Sequence, residues 1–249
     1  MTSARSVQHD PRGNGGYAAP ANTVTVKLLD LLQSAQRGPN WATHQLDIFK
    51  SDASEPDEAS LFCAGDVTLV RRPCVSVVGS REATPQGRAR ATRLVRELVE
   101  AGVVIVSGLA KGIDTAAHKT AIDGGGQTIA VIGTPLSKAS PGENASLQEA
   151  IWRNHLLISP FGEGSQVHRA NFPYRNRIMA AISDATVIVE ADDNSGTLHQ
   201  AVACQKIGRW LFILKTVVET KAWPRRFLNV KNTVILENTE QILHALDLR

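Results

Sequence analysis

No stretch of about eighteen consecutive apolar residues occurs in the chain, and the opening MTSARSVQHDPRGNGGYAAP has no apolar core of the kind an export signal needs. Membrane insertion and secretion are therefore not expected, and a cytoplasmic protein is. Cysteine is scarce: Cys63, Cys74 and Cys204 form no CxxC, and their odd number gives no disulfide framework, which fits a reducing compartment. Charge of one sign is not in excess either. With 27 Lys+Arg against 24 Asp+Glu the formal charge is +3, so any electrostatic case for an anionic partner must rest on where the charges cluster. The seven histidines show no HExxH or other compact metal signature, so no metal is expected. Neither GxGxxG nor GxxxxGK[ST] appears after a strand, which takes support from nicotinamide chemistry and from ordinary nucleotide hydrolysis. No cofactor is expected.

What is present is a chain of 249 residues, 43% hydrophobic, long enough for one large domain with appended segments. Residues 1–22, rich in Gly, Pro, Asn and Arg, read as a disordered tail. Residues 23–60 read as a short helical segment, TVKLLDLLQSAQ, a second short element, WATHQLDIF, and an acidic connector, KSDASEPDEAS. From residue 61 to 249 the texture changes. Apolar runs (CVSVVGS, VVIVSGLA, QTIAVIG, HLLISPF, TVIVEA, WLFILK) alternate with helical patterns. Continuous apolar strands separated by amphipathic helices predict an α/β domain with a mostly parallel sheet covered on both faces. In such sheets ligands bind beyond the carboxyl ends of the strands.

Three apolar runs stop in small polar residues: Gly79-Ser80-Arg81, Ser107-Gly108 through Lys111 and Asp114, and Ser195-Gly196-Thr197. Each turn offers backbone N–H groups and a hydroxyl to an anion, and a helix beginning just afterwards adds its positive end. The same turns can need glycine for geometry alone. Arg81 suits a bidentate phosphate contact and equally a salt bridge on the rim; Lys111 offers a less directional contact. Asp114 and His118, four apart, share a helical face as a local hydrogen bond or as part of an acid–base site.

HRANFPYRNR, residues 168–177, sets His168, Arg169, Arg175 and Arg177 around Phe172 and Tyr174. It reads either as a loop pinned over the sheet or as a cationic surface with a ring on which a base stacks, as single-stranded nucleic acid requires. RIMAAI behind it returns to a helix.

Six signatures then align in order: LFCAGD, VSVVGSREATPQG, SGLAKGIDTAAH, TIAVIG, FPYRNRIMAAISDATVIVEA and SGTLHQAVACQKIGR. Over residues 60–245 the chain resembles the DNA-processing protein A family, also called Smf. The resemblance implies an extended Rossmann-like core that binds single-stranded DNA, forms a homodimer and helps load the RecA recombinase onto strands taken up in transformation. It places the phosphate pocket at Arg81 with Gly79 and Ser80, a cation and base-stacking pair at Arg169 and Phe172, the second turn at Ser107, Gly108 and Lys111, and the Arg-Asn-Arg element at Arg175, Asn176 and Arg177. Ser195, Gly196 and Thr197 complete the expected rim.

The chain departs from the family's pattern in TPLSKASPGENASL, in SPFGEG and in FILKTVVET, and it ends at Arg249 with no stretch left for the small winged-helix-like domain many members carry. Two other functions share the fold. A LOG-like phosphoribohydrolase acting on nucleoside monophosphates would need a carboxylate where DDNSGTLHQ has Gln200, and glutamine is neither a general acid nor a general base. A nucleotide-sensing module would use the same turns for a small ligand. A DNA-binding protein, not an enzyme, is the expectation.

Overall fold

The computed structural model describes residues 16–35, 45–49, 59–193 and 195–248. Nine strands form a single sheet: β1 (Val24–Lys27), β2 (Ser60–Gly65), β3 (Cys74–Gly79), β4 (Val104–Ser107), β5 (Thr128–Val131), β6 (Leu156–Ser159), β7 (Ala185–Glu190), β8 (Trp210–Leu214) and β9 (Thr233–Leu236). Their spatial order is β1-β2-β6-β5-β4-β3-β7-β8-β9. All pairings are parallel from β6 to β9; β2 runs antiparallel to both β1 and β6.

Chain order thus runs outward in one direction from β3 through β6 and in the other from β7 through β9, so the order reverses between β3 and β7. At such a reversal the connections leave the sheet on opposite sides and open a crevice at the carboxyl ends of the two strands.

The central strands are buried on both faces, as their unbroken apolar runs require. The few polar side chains inside them are bonded: Ser107 Oγ donates to the Val77 carbonyl (2.7 Å), Thr128 Oγ1 to the Ile105 carbonyl (2.8 Å), and the Ser76 and Ser183 hydroxyls pair at 2.8 Å.

On one face pack α1 (Leu28–Ser34), α5 (Asn171–Ile182) and α6 (Thr197–Lys206). On the other lie α2 (Pro85–Glu100), α3 (Ile113–Asp123) and α8 (Glu240–Ala245). Helix α4 (Ala145–Asn154) covers the β5–β6 end with a smaller core of Ile132, Leu136, Leu147 and Ile151, and α7 (Lys215–Thr220) follows β8. Among the described residues no helix is long and apolar enough to cross a membrane.

Three expectations meet a different structure. Residues 25–27, expected to start a helix, belong with Val24 to an edge strand, because alternating Val-Thr-Val favours a pleated pairing with β2 before the Leu-rich turn of α1 begins. Residues 16–22, read as tail, lie against α4 and the loop before it: Tyr17 donates its hydroxyl to the Leu136 carbonyl (2.8 Å) and Trp152 Nε1 donates to the Ala18 carbonyl (3.1 Å). The rest of the expected tail, residues 1–15, and most of the acidic connector, residues 50–58, fall outside the described residues.

The third difference concerns residues 171–176, expected as loop, which form the opening turns of α5. Pro173 sits in the first helical turn, where a missing N–H costs no hydrogen bond, so proline there is compatible with helix.

Candidate nucleic-acid interface

At the β3/β7 reversal a cleft of about 800 Å³ opens on the carboxyl rim of the sheet. Its floor is made by two turns stacked backbone on backbone. Ile113 N donates to the Ser80 carbonyl (3.2 Å), and Gly112, at φ +76°, lies so close beneath that a Cβ on it would stand 2.2 Å from the same oxygen. A Cβ on Gly79 would stand 2.5 Å from the Ile113 side chain. Glycine is therefore required at both places by the close approach of one turn to the other.

Among the helices that begin on this rim, α2, α3, α5 and α6 differ in what meets their positive ends. At α2, Thr84 Oγ1 accepts from Gly87 N (2.9 Å), and the Glu190 carboxylate, arriving from the end of β7, accepts from Thr84 N (2.9 Å) and Thr84 Oγ1 (2.6 Å). At α3, Asp114 accepts from the Ala110 amide (3.3 Å). Helix α2 is thus closed by a carboxylate from β7, whereas α3 has no side-chain cap and carries its own carboxylate, Asp114, in the first turn. Helix α6 has only the Ser195 hydroxyl, which accepts from Thr197 N (3.2 Å) and donates to Thr197 Oγ1 (2.9 Å); α5 has no side-chain cap.

The segment read as a single cationic stretch is divided by helical phase. Arg175 turns inward and is 5% exposed; a Cβ on Gly108 would stand 1.2 Å from its Nη1, so the guanidinium lies directly over the second turn. Nη1 meets only the Met179 sulfur (3.2 Å), and Nε has no hydrogen-bond partner among the described residues. Burial lowers Arg175 to about 10, offset by Asp114 and reinforced by Arg81, so it remains charged at neutral pH. Burial conversely raises the Asp114 carboxyl, against the pull of Arg175 and of the Ala110 amide.

Phe172 is half-buried against Gly133, and the Arg81 guanidinium lies over its ring, 5.2 Å from the centroid. Arg81 and Arg169 are exposed at the mouth. Asn176 Nδ2 donates to the Gly196 carbonyl (3.2 Å), tying α5 to the third turn. Arg177 points away from the cleft. It stacks on Tyr174 (4.9 Å) and Phe49 (5.5 Å) and donates to the Ile48 carbonyl (3.1 Å).

Of the residues expected at the site, Gly79, Ser80, Arg81, Arg169, Phe172, Arg175, Asn176, Ser195, Gly196 and Thr197 all line the cleft. Ser107 and Gly108 are buried beneath it, and Lys111 is exposed outside it in an ion pair with Glu143 (2.6 Å). His118 is also off the cleft. Its Nδ1 meets Thr128 Oγ1 (2.7 Å), whose proton goes to Ile105, so Nδ1 carries the hydrogen; burial lowers its pKa to about 3. Asp114 and His118 therefore form no mutual hydrogen bond. Residues the sequence reading passed over also line the cleft, notably Asp192, His199 and Met179. Asp192 pairs with Lys221, a contact between residues 29 apart that no local pattern signals. No group of three or more metal-ligating side chains occurs among the described residues.

A family model described as DNA recombination-mediator protein A matches residues 49–247. The chain belongs to that family. Among relatives of this recombination-mediator group, DNA processing protein DprA of Streptococcus pneumoniae is 42% identical over 170 residues, 68% of this chain and 60% of that protein. Protein Smf of Synechocystis is 41% identical over 142 residues, 57% of this chain and 36% of that protein. The chain thus spans 60% or less of the length of these two relatives.

The X-ray structure of the Streptococcus pneumoniae DprA superposes with a TM-score of 0.71 at 30% identity, covering 90% of this chain and 74% of that one. DNA processing protein A from Helicobacter pylori, whose structure is described in terms of its single-stranded DNA binding mode, superposes with a TM-score of 0.72 at 26% identity, covering 93% and 97%. A molybdenum cofactor binding protein from Rippkaea orientalis shares the fold alone, with a TM-score of 0.51 at 17% identity.

Proposed function

We propose that this chain binds single-stranded DNA in the cleft at the β3/β7 reversal as a non-catalytic recombination mediator. The observation that carries the reading is the cleft's own set of side chains: a buried, charged Arg175 with an unpartnered Nε at the base, Arg81 and Arg169 at the mouth, and the half-buried Phe172 ring between them. A phosphate satisfies the guanidinium donors, and the neighbouring base stacks on the ring. A ring can take a base only from a strand whose bases are unstacked, which selects the single strand over the duplex.

Hydrolysis of a nucleoside monophosphate is disfavoured by Gln200. Its amide is buried and fully engaged, donating to the Asn176 carbonyl (2.6 Å) and accepting from Thr186 Oγ1 (3.1 Å) and the Ala180 amide (3.2 Å). Such an amide holds α6 against α5 and offers no proton transfer. Three buried free thiols suit a reducing, cytoplasmic setting. Homodimer formation and a role in loading RecA are part of the same proposal by membership of the family.

Fluorescence anisotropy with single-stranded and duplex oligonucleotides across a salt series tests the reading. Single strands are expected to bind more tightly, with affinity falling steeply as salt rises. Arg81→Ala and Arg169→Ala are each expected to weaken binding by roughly 1.5 to 3 kcal/mol, the scale of a charged hydrogen bond. Equal binding by wild type and Arg81→Ala would sink the cleft as the DNA site.

A further inference from the structure

Gln200, in the first turn of α6, is fully buried against the wall of the main cleft. Its Nε2 donates to the Asn176 carbonyl (2.6 Å) and its Oε1 accepts from the Ala180 amide (3.2 Å). These two backbone groups lie four residues apart in α5, and in an undisturbed α-helix such a carbonyl and amide pair with each other. A side-chain amide sets a donor beside an acceptor on one plane, as a peptide group does, so it can bridge both ends of one rung. A side chain entering the ladder at a rung redirects the helix on either side of it. Thr186 Oγ1 of β7 donates to the same Oε1 (3.1 Å), which fixes the amide from the sheet as well.

The bridged rung sits where α5 carries its cleft-facing residues: Arg175 and Asn176 at one end, Met179 beside the other. Arg175 donates to no oxygen among the described residues. Its Nη1 meets only the Met179 sulfur (3.2 Å), and the guanidinium rests on the bare Gly108 backbone. A guanidinium held by no acceptor oxygen takes its direction from the backbone that carries it. Asn176 is tied to α6 twice, its Nδ2 donating to the Gly196 carbonyl (3.2 Å) and its own carbonyl accepting from Gln200. The α5 backbone at the root of Arg175 is therefore set by α6, and Gln200 is the side chain that reaches across to set it.

We propose that Gln200 is a positioning residue for single-strand binding: its amide, bridging Asn176 and Ala180 of α5, directs the Arg175 guanidinium into the cleft. The proposal rests on the main cleft being a single-strand site. Gln200 touches no phosphate and acts through Arg175. A carboxylate in its place would set an oxygen against the Asn176 carbonyl, and an apolar side chain would offer neither donor nor acceptor.

Affinity for a single-stranded oligothymidylate, read by fluorescence anisotropy, tests this. Gln200→Met keeps the volume and loses both contacts, and it is expected to weaken binding roughly tenfold, the scale of one misdirected charged hydrogen bond. In an Arg175→Lys background, which keeps a charge opposite Asp114, the same substitution is expected to change affinity by less than about twofold, since no guanidinium is left to direct. Gln200→Glu supplies a rescue. Protonated, the introduced carboxyl donates to Asn176 and accepts from Ala180 as glutamine does; ionised, it cannot donate. Burial favours the protonated form, so this variant is expected to bind like wild type at about pH 6 and to weaken towards Gln200→Met as pH rises to about 9. Each affinity is compared with wild type at the same pH, which cancels the titration of His199 and Asp114 in the same cleft; the Cys204 thiol, pushed up to about 12 by burial, stays protonated throughout.

Wild-type affinity in Gln200→Met, an equal loss in both backgrounds, full affinity in Arg175→Lys alone, or a Gln200→Glu protein insensitive to pH would each overturn the positioning role. Single-strand binding by wild type would still leave the main cleft standing. If Gln200→Met does not fold, the pH profile of Gln200→Glu decides alone. Failure of wild type to bind the single strand would remove the main-cleft reading, and this one with it.

Discussion

Of the helices that start on the carboxyl rim of this sheet, α2 and α3 carry one of the chain's own carboxylates at the positive end while α5 and α6 carry none. Glu190 binds the end of α2 and Asp114 sits in the first turn of α3; a lone hydroxyl stands at α6 and an uncapped turn at α5. In a doubly wound fold the helix after the first parallel strand is the usual seat for a phosphate. Here that helix is α2, and a carboxylate from β7 fills its end. The proposed anion site lies instead on the opposite face of the sheet, under α5, towards Arg175, Arg169 and Phe172. The same scaffold can offer a different ligand surface by deciding which helix ends it closes itself.

Removing the counter-charge of the α3 carboxylate should have the largest effect. In Arg175→Ala the Asp114 carboxylate loses its counter-charge in a buried site, and the expected loss is about 3 to 5 kcal/mol of folding stability, measured by urea unfolding. A variant as stable as wild type would show that Asp114 is held by its backbone donors alone.

Next is pH, read on the same helix. The folded pKa of His118 lies near 3, below the ordinary value of 6.5, so the unfolded chain takes up a proton first as pH falls. Its contribution to stability is full above about pH 6.5 and is lost towards pH 3, by about 2 kcal/mol between about pH 7 and about pH 5. His118→Asn is expected to flatten that part of the profile.

Glu190→Gln keeps the side-chain shape at α2 but removes the charge and one of the two acceptor oxygens, with an expected cost of roughly 1 kcal/mol in thermal unfolding. It also sharpens the comparison, since opening this end to anions should raise single-strand affinity slightly at low salt. The smallest effect is expected from Lys111→Ala. Its exposed pair with Glu143 lies outside the cleft, so stability should change by less than about 1 kcal/mol and affinity for DNA should stay near that of wild type.

Much of this was legible before any coordinates. Alternating apolar runs and helical patterns are enough to specify a covered, mostly parallel sheet, and the rule that ligands sit at strand ends leads directly to Gly79–Arg81 and Ser195–Thr197. The two edge strands were not legible. Val24–Lys27 and Thr233–Leu236 are short and partly exposed, and each exists because a neighbour pairs with it.

Nor could composition separate the arginines of residues 168–177. Arg175 and Arg177 are two positions apart, about 200° around a helix, so once Asn171 begins α5 one must turn towards the cleft and the other towards Phe49 and Tyr174. Lys111 and Arg81 likewise look equivalent as cations after glycine turns, but only Arg81 faces the cleft.

The sequence by itself determined the layers of the fold, the turns at the strand ends and the family, because these follow from periodicity and from contiguous motifs. Only the tertiary structure decided which positive groups remain available to a ligand. That depends on carboxylates brought from far along the chain, Glu190 to Thr84 across 106 residues and Glu143 to Lys111 across 32, and charge pairing at such separations leaves no local trace.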